Sequence, residues 1–141
     1  MKNITILFVL LFGLISIGTF AQKRQDKHKI VFQFTNANDT IQQKAFTNQL
    51  NNLTAHWPKA KYEVVVYNMG LEYLMLTKSK HIAAIKALHA KGVRFVVCEN
   101  TMKSRKITKE QLIPEVEFVP AGIAEVVEKQ EQGWSYIKGG F

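Results

Sequence analysis

Two short apolar runs restrict the fold of this 141-residue chain more than any other feature of its sequence. The runs are YEVVVY (Tyr62–Tyr67) and VRFVVC (Val93–Cys98). Both are rich in β-branched and aromatic residues, and their centres are apolar on both faces of the strand that each would form. Strands of this kind are typical of parallel sheets, because crossover helices cover both faces. The two runs therefore indicate a parallel sheet in an α/β protein.

Segments with helical spacing of apolar residues alternate with such strands along the chain. The predicted strands are 29–34, 62–67, 93–98, 116–119 and 134–138, and the predicted helices are 40–57, 79–90, 108–112 and 122–132. Alternating strands and helices predict βαβ units. We therefore expect a doubly wound α/β domain with a mostly parallel five-stranded sheet and helices on both faces.

Residues at the predicted helix ends support these boundaries. Asn38 or Asp39 is placed to cap the first long helix, and Thr108 is placed to cap the short one. Gly92 and Gly133 follow the last apolar positions of two other helices, where glycine commonly ends a helix.

The first 21 residues predict a secretory signal peptide rather than part of the fold. A short positive start precedes the apolar run Ile4–Phe20, and the small residue Ala21 follows it. An uncleaved anchor is the alternative, because the run is near the lower limit of about 17 residues for a membrane span. We expect cleavage after Ala21, a periplasmic or secreted protein, a basic disordered lead-in at 22–28 and a folded domain at 29–141. A membrane is expected to be a partner only through this segment.

Composition excludes several classes of function. The single cysteine rules out an intrachain disulfide framework, a Cys-rich zinc site and an iron–sulfur cluster held by this chain alone. The formal net charge of +8 favours attraction of anions but does not bear on the fold. No glycine-rich nucleotide motif, RNP-like strand or metal-binding pair of histidines occurs. We therefore expect no cofactor, no metal and no nucleic-acid partner.

The candidate chemistry lies at the carboxyl ends of the predicted strands, where doubly wound sheets bind ligands. Three loops begin at these strand ends, at 35–39, 68–71 and 98–103. Cys98 is the last residue of its strand, so backbone N–H groups and the cations of 103–106 would favour its thiolate. The alternative is an inert cysteine, since free cysteine is often buried as a small apolar residue.

Three further segments are distinctive in sequence: VRFVVCENTMK at 93–103, VPAGIAE at 119–125 and QEQGWSYIK at 130–138. Together with the asparagines after the first two strands, they resemble the DsrE/DsrF-like family. This resemblance covers nearly all of 29–138. It implies a flavodoxin-like fold, assembly into trimers or hexamers, and sulfur relay in which a cysteine carries sulfane sulfur as a persulfide. Cys98 lies in the C-E-N-T-M pattern of one subgroup and is the carrier that the resemblance implies.

We therefore expect Cys98 to be the catalytic residue of an exported sulfur carrier. The expected binding residues around it are Asn36, Asn68, Gly70, Asn100, Thr101 and Lys103. Because a lone cysteine cannot resolve its own persulfide, a donor or acceptor protein or a small thiol is the expected partner.

Two alternatives remain open, and the surroundings of Cys98 distinguish them from a sulfur carrier. One is a small-anion binding module that uses Lys103–Lys106, and the other is a structural oligomer subunit in which the cysteine only packs. An open crevice in which Asn68 faces the thiol favours the carrier, and burial of the thiol favours the structural subunit. A crevice lined by asparagines, with the thiol turned away, favours anion binding.

Overall fold

A computed structural model of the chain describes residues 28–140. The predicted signal peptide, most of the lead-in and Phe141 lie outside the described residues. His28, the last residue of the predicted lead-in, is exposed, but its ring packs on Trp57 with 4.3 Å between the ring centroids.

Five strands form one sheet within residues 28–140. They are β1 (Lys29–Asn36), β2 (Lys61–Met69), β3 (Val93–Cys98), β4 (Val116–Val119) and β5 (Ser135–Lys138). The strand order is β4-β3-β2-β1-β5, and each neighbouring pair is parallel. The parallel α/β sheet predicted from the valine-rich runs is confirmed.

Helices connect the strands, and three of the four α-helices lie near their predicted positions. They are α1 (Thr40–His56), α2 (Ile82–Ala90), α3 (Glu99–Arg105) and α4 (Gly122–Glu131), with 3₁₀ helices at Gly70–Tyr73 and Lys109–Gln111. Asp39 caps α1, because its Oδ1 accepts the Ile41 N–H at 2.7 Å. Gly92 and Gly133 follow α2 and α4 with φ angles of +92° and +79°, in the left-handed region that glycine adopts easily.

Helix α3 is the main difference from the expected arrangement. The sequence predicts a loop at 98–103, whereas the structure begins a helix directly after Cys98. Acidic Glu99 lies in the first turn and Lys103 and Arg105 in the last, so the charges complement the helix dipole. Only Thr101 and Met102 of this helix are buried, which explains the weak apolar pattern.

The strand order determines which face of the sheet each helix covers. The chain adds β2, β3 and β4 on one side of β1, and α4 then carries it back to β5 on the other side. Because such crossovers are right-handed, the reversal places α4 on the opposite face from the earlier helices. Helices on both faces of a doubly wound sheet, as predicted, are confirmed.

The two faces contain different cores. The face under α1 and α2, here called the aromatic face, includes Phe32, Phe34, Phe46, Tyr73 and Phe95. The face under α4, here called the cysteine face, has a smaller cluster consisting of Val31, Val65, Tyr67, Cys98 and Val126, with Trp134 packed against it. Among residues 28–140, no helix is long and apolar enough to cross a membrane.

Candidate functional site

Cys98 ends β3 at the carboxyl edge of the sheet, and its side chain lies on the cysteine face. Its neighbour in β4 is Val119, and its side chain packs in the cluster with Val65 and Tyr67. Only 6% of the residue is exposed. The strand-end position predicted for the thiol is therefore confirmed, and the residue is buried rather than open to solvent.

The surroundings of Cys98 act on its pKa in opposite directions. Burial raises the pKa, because a charge is less stable away from water. Hydrogen bonding from the Gly122 N–H lowers it, as do the N–H and hydroxyl of Thr101 and, least, the Asn100 N–H. The net pKa lies below the ordinary value of 9.0. The N–H and hydroxyl groups around Cys98 therefore offset the free-energy cost of burying its thiolate.

Gly122 is the first residue of α4 and reaches the thiol because it has no side chain. A Cβ atom at this position would lie 3.1 Å from Cys98 Cβ, 3.1 Å from Tyr67 Cδ1 and 3.3 Å from Val65 Cγ1. These separations are tighter than ordinary van der Waals contact. Glycine therefore allows the start of α4 to lie directly on the sheet beside Cys98.

The start of α3 lies on the other side of the thiol. Cys98 is the N-cap residue of this helix, although its side chain makes no capping hydrogen bond of standard geometry. The Asn100 N–H donates to the Pro120 carbonyl at 3.2 Å, and of the groups around the thiol it acts least on the Cys98 pKa. This bond joins the first turn of α3 to the loop before α4. The first turns of two helices are thus held around one sulfur atom.

Thr101 connects the thiol to the end of β2. Its hydroxyl oxygen accepts the Asn68 N–H at 3.2 Å, and its side chain also acts on Cys98. Asn68 has a φ of +50°, a left-handed conformation that asparagine tolerates better than most residues. Arg105 donates to the Asn68 carbonyl at 2.8 Å and pairs with Glu72 at 3.1 Å. One of the cations expected to act on the thiol is therefore already neutralised.

The remaining predicted binding residues lie apart from the thiol pocket or serve the backbone. Asn36 is exposed at the end of β1, where its Oδ1 accepts the Asn38 N–H at 3.2 Å. Gly70 is buried, and a Cβ atom there would lie 2.1 Å from the Phe34 carbonyl oxygen. Gly70 thus permits close packing of two backbone segments.

Lys103 lines an open groove beside α3. The groove has a volume of about 340 Å³ and is lined by Glu99, Met102, Lys103, Lys106, Ile107 and Thr108. Cys98, Asn36 and Asn68 do not line it. This groove is therefore not the asparagine-lined crevice that the anion-binding alternative requires.

Sequence reasoning missed Gly122 and Tyr67 as parts of the site. Gly122 lay within the family-like segment VPAGIAE, but its contact with Cys98 depends on how α4 crosses the sheet. The Tyr67 hydroxyl accepts a hydrogen bond from the Gln33 amide, and Tyr136 donates to the Gln33 oxygen. This polar chain leads from the buried cluster to the exposed Tyr136. Among residues 28–140, no group of three histidine, cysteine or acidic side chains could hold a metal ion.

A doubly wound parallel sheet with a single cysteine at a strand end defines a flavodoxin-like α/β protein with a thiol site. The DsrE/DsrF-like family matches residues 28–138, so the chain belongs to this family. A solved structure of a protein of unknown function from Methanobacterium thermoautotrophicum is similar to it, with 28% identity and a TM-score of 0.74. The match covers 79% of this chain and 99% of that one. No curated protein matches the chain.

Proposed function

We propose that the protein is a sulfur carrier that binds sulfane sulfur as a persulfide on Cys98. Membership of the DsrE/DsrF-like family supports a role related to sulfur relay. The observation that carries the proposal is the position of Cys98 between the first residue of α4 and the first turn of α3, whose polar groups lower its pKa. A thiolate is the reactive form of cysteine, and these groups favour it despite burial.

The loading step is an exchange at sulfur with no net change of oxidation state. The Cys98 thiolate attacks the outer sulfur of a donor persulfide, R–S–SH. The bond between the two donor sulfurs breaks, a new bond forms to Cys98, and the electron pair leaves on the donor as the thiolate R–S⁻. The products are Cys98–S–SH and R–S⁻, so the proton stays on the transferred sulfur.

The unloading step is the same exchange in the opposite direction with a second thiol. An acceptor thiolate attacks the outer sulfur of Cys98–S–SH, which becomes bonded to the acceptor as the Cys98 thiolate leaves. The donors from Gly122 and Thr101 stabilise that leaving thiolate as they stabilise the attacking one. Because the chain has one cysteine, both partners of the exchange come from other molecules.

A structural subunit is the second candidate, because Cys98 is only 6% exposed and packs among Val65 and Tyr67. The two candidates differ in what they require of the thiol. A packing residue needs no polar hydrogen directed at its sulfur, whereas a carrier needs several. Burial of Cys98 thus favours the structural subunit, whereas the polar groups around it favour the carrier.

The test is intact-mass spectrometry of the protein before and after incubation with inorganic polysulfide. The carrier gains the mass of one or more sulfur atoms, and a small thiol such as dithiothreitol removes the gain. Cys98→Ser keeps the fold and gains nothing, because a hydroxyl forms no persulfide. The proposal fails if the native wild-type protein gains no sulfur or if Cys98→Ser gains as much.

We propose further that the carrier works outside the cytoplasm after cleavage at Ala21, and that it is a trimer or hexamer. The apolar run at 4–20 supports export, and the exposed Ile123 and Val127 on α4 support assembly. N-terminal sequencing of protein from the periplasmic fraction tests the first point and is expected to begin at Gln22. Light scattering coupled to size exclusion tests the second, and a monomeric mass would contradict it.

A further inference from the structure

Helix α4 is attached to the sheet at both ends of its buried side. At its start, Gly122 lies against Cys98. In the middle, Val126 packs in the apolar cluster of the cysteine face. Near its end, Lys129 Nζ lies 2.9 Å from Glu63 Oε2. Gly122 and Lys129 are seven positions apart in this helix, which is about 10 Å along the axis at about 1.5 Å per residue.

Glu63 is a charged residue inside the buried part of β2. It lies near the start of β2 and is 0% exposed. Its Oε2 accepts hydrogen bonds from Arg94 at 2.6 Å and pairs with Lys129, while its buried Oε1 has no hydrogen-bond partner. Such a carboxylate is costly to bury and is retained only where specific partners hold it.

The cations on either side of Glu63 differ in how they are held. Arg94 is 43% exposed at its side chain and is also bonded to Glu117 at 2.5 Å. Lys129 is only 11% exposed, pairs with Glu125 at 3.2 Å and lies 5.0 Å from the centre of the Trp134 ring. Lys129 is therefore the member of the network that connects Glu63 to α4.

A buried ion pair of this kind fixes geometry more reliably than it adds stability. Desolvation of both charges offsets most of their attraction, but a displaced helix would leave a buried charge without its partner. The ion pair thus adds a fixed contact to the packing of Val126 and restricts the position of α4 along and around its axis. Because the helix is rigid between Lys129 and Gly122, the same restriction reaches the N–H group beside Cys98.

We propose that Glu63 and Lys129 are positioning residues for Cys98, and that their ion pair fixes α4 so that its first residue, Gly122, stays packed against Cys98. This inference rests on the proposed function only for its biological meaning, since the thiol can be titrated whether or not it carries sulfur. It assigns a role to a buried ion pair that contacts α4 about 10 Å along the helix axis from Gly122.

The test compares the titration of Cys98 in the wild-type protein and in Lys129→Met, which keeps an unbranched side chain of nearly the same length and removes the cation. The readout is the midpoint of the pH profile of alkylation by iodoacetamide. The midpoint is used instead of the rate because a loosened helix also changes access to the thiol. We expect the midpoint to rise by about half a pH unit or more as the Gly122 donor is lost.

Two further variants separate positioning from a general loss of structure. Lys86→Met removes a lysine from the Lys86–Glu115 pair at 3.4 Å, on a helix of the aromatic face, and is expected to leave the midpoint unchanged. Lys129→Arg keeps the cation and is expected to keep the wild-type midpoint. Circular dichroism and urea unfolding establish that each variant is folded.

A folded Lys129→Met protein with the wild-type midpoint overturns the inference. If that variant does not fold, Glu63→Gln takes its place, since the amide keeps the shape of the carboxylate and removes its charge. The midpoint of Cys98 alkylation is then expected to rise as in Lys129→Met, and an unchanged midpoint again contradicts the positioning role. A wild-type protein that takes up no sulfur would refute the carrier function and leave the positioning role standing, so the two failures are distinguishable.

Discussion

The two faces of the sheet use different interactions to hold their helices. On the aromatic face, α1 packs through fully buried rings, and Phe34 and Phe46 stack with 4.1 Å between ring centroids. On the cysteine face, α4 is held by the small valine and tyrosine cluster and by the ion pairs of Glu63. The first face depends on apolar volume, whereas the second depends on polar groups placed at fixed distances.

This difference separates stability from chemistry within one small domain. Close-packed aromatic residues supply a large apolar core that tolerates little change in volume. The cysteine face has less apolar area, but its helix starts bring backbone N–H groups to a buried sulfur. A change on the aromatic face is therefore expected to affect mainly the stability of the fold. A change on the cysteine face is expected to affect mainly the pKa of the Cys98 thiol.

The largest expected effect comes from opening the aromatic core. Phe46→Ala removes a fully buried ring that stacks on Phe34, and we predict a loss of about 3–5 kcal/mol in the free energy of unfolding. The midpoint of Cys98 alkylation is expected to stay at its wild-type value wherever the variant remains folded. Urea unfolding and the alkylation profile measure the two quantities.

Ile41→Ala is the matched control on the same helix. Ile41 is 64% exposed, so its truncation is expected to change stability by less than about 0.5 kcal/mol. A shifted midpoint of Cys98 alkylation in Phe46→Ala would contradict the separation of stability and thiol chemistry between the two faces.

An intermediate effect is expected from Gly122→Ala on the cysteine face. The added Cβ would lie 3.1 Å from Cys98 Cβ, so the start of α4 or the side chains beneath it must shift by a few tenths of an ångström. We predict a loss of about 1–3 kcal/mol in stability and a higher pKa of the thiol, because the N–H donor moves with the helix. Ile123→Ala changes the next, exposed position and serves as the control. A lowered or unchanged thiol pKa in Gly122→Ala would be inconsistent with the assigned donor.

The smallest expected effect is a pH dependence of stability that comes from Glu63. Burial raises its pKa above the ordinary value of 4.5, although the hydrogen bond from Lys129 opposes this rise. The folded chain therefore holds the Glu63 proton more tightly than the unfolded chain does. The stability that this provides is fully present below 4.5 and is lost as the pH rises through the folded-state pKa.

Comparison with Glu63→Gln isolates this contribution, because glutamine does not titrate. The wild-type free energy of unfolding minus that of the variant is expected to fall as the pH rises from about 4.5 towards neutrality. Urea unfolding over that range measures the difference. A difference that grows with pH would mean that Arg94 and Lys129 outweigh the cost of burial.

The fold could be predicted because its signals are local. The runs Tyr62–Tyr67 and Val93–Cys98 have the composition of buried parallel strands, and Asp39 caps α1 as expected. Helix α3 was missed because a seven-residue helix with two buried side chains has too short an apolar pattern to recognise.

The candidate site was predictable only in part. Cys98 could be found because its strand and its position at the strand end are visible in the sequence. The contact with Gly122 could not, because it joins residues from distant segments and depends on the reversal of strand order that places α4 on the cysteine face. Glu63 was hidden for the same reason, since its partner Lys129 lies on that helix.

The most direct test of the account is the pH profile of Cys98 alkylation in the native wild-type protein. The account predicts that the thiol reacts without denaturant and that its midpoint lies below the ordinary value of 9.0. A thiol that resists the reagent until the protein is unfolded, or that titrates at or above that value, would contradict it and make Cys98 a packing residue of the sheet.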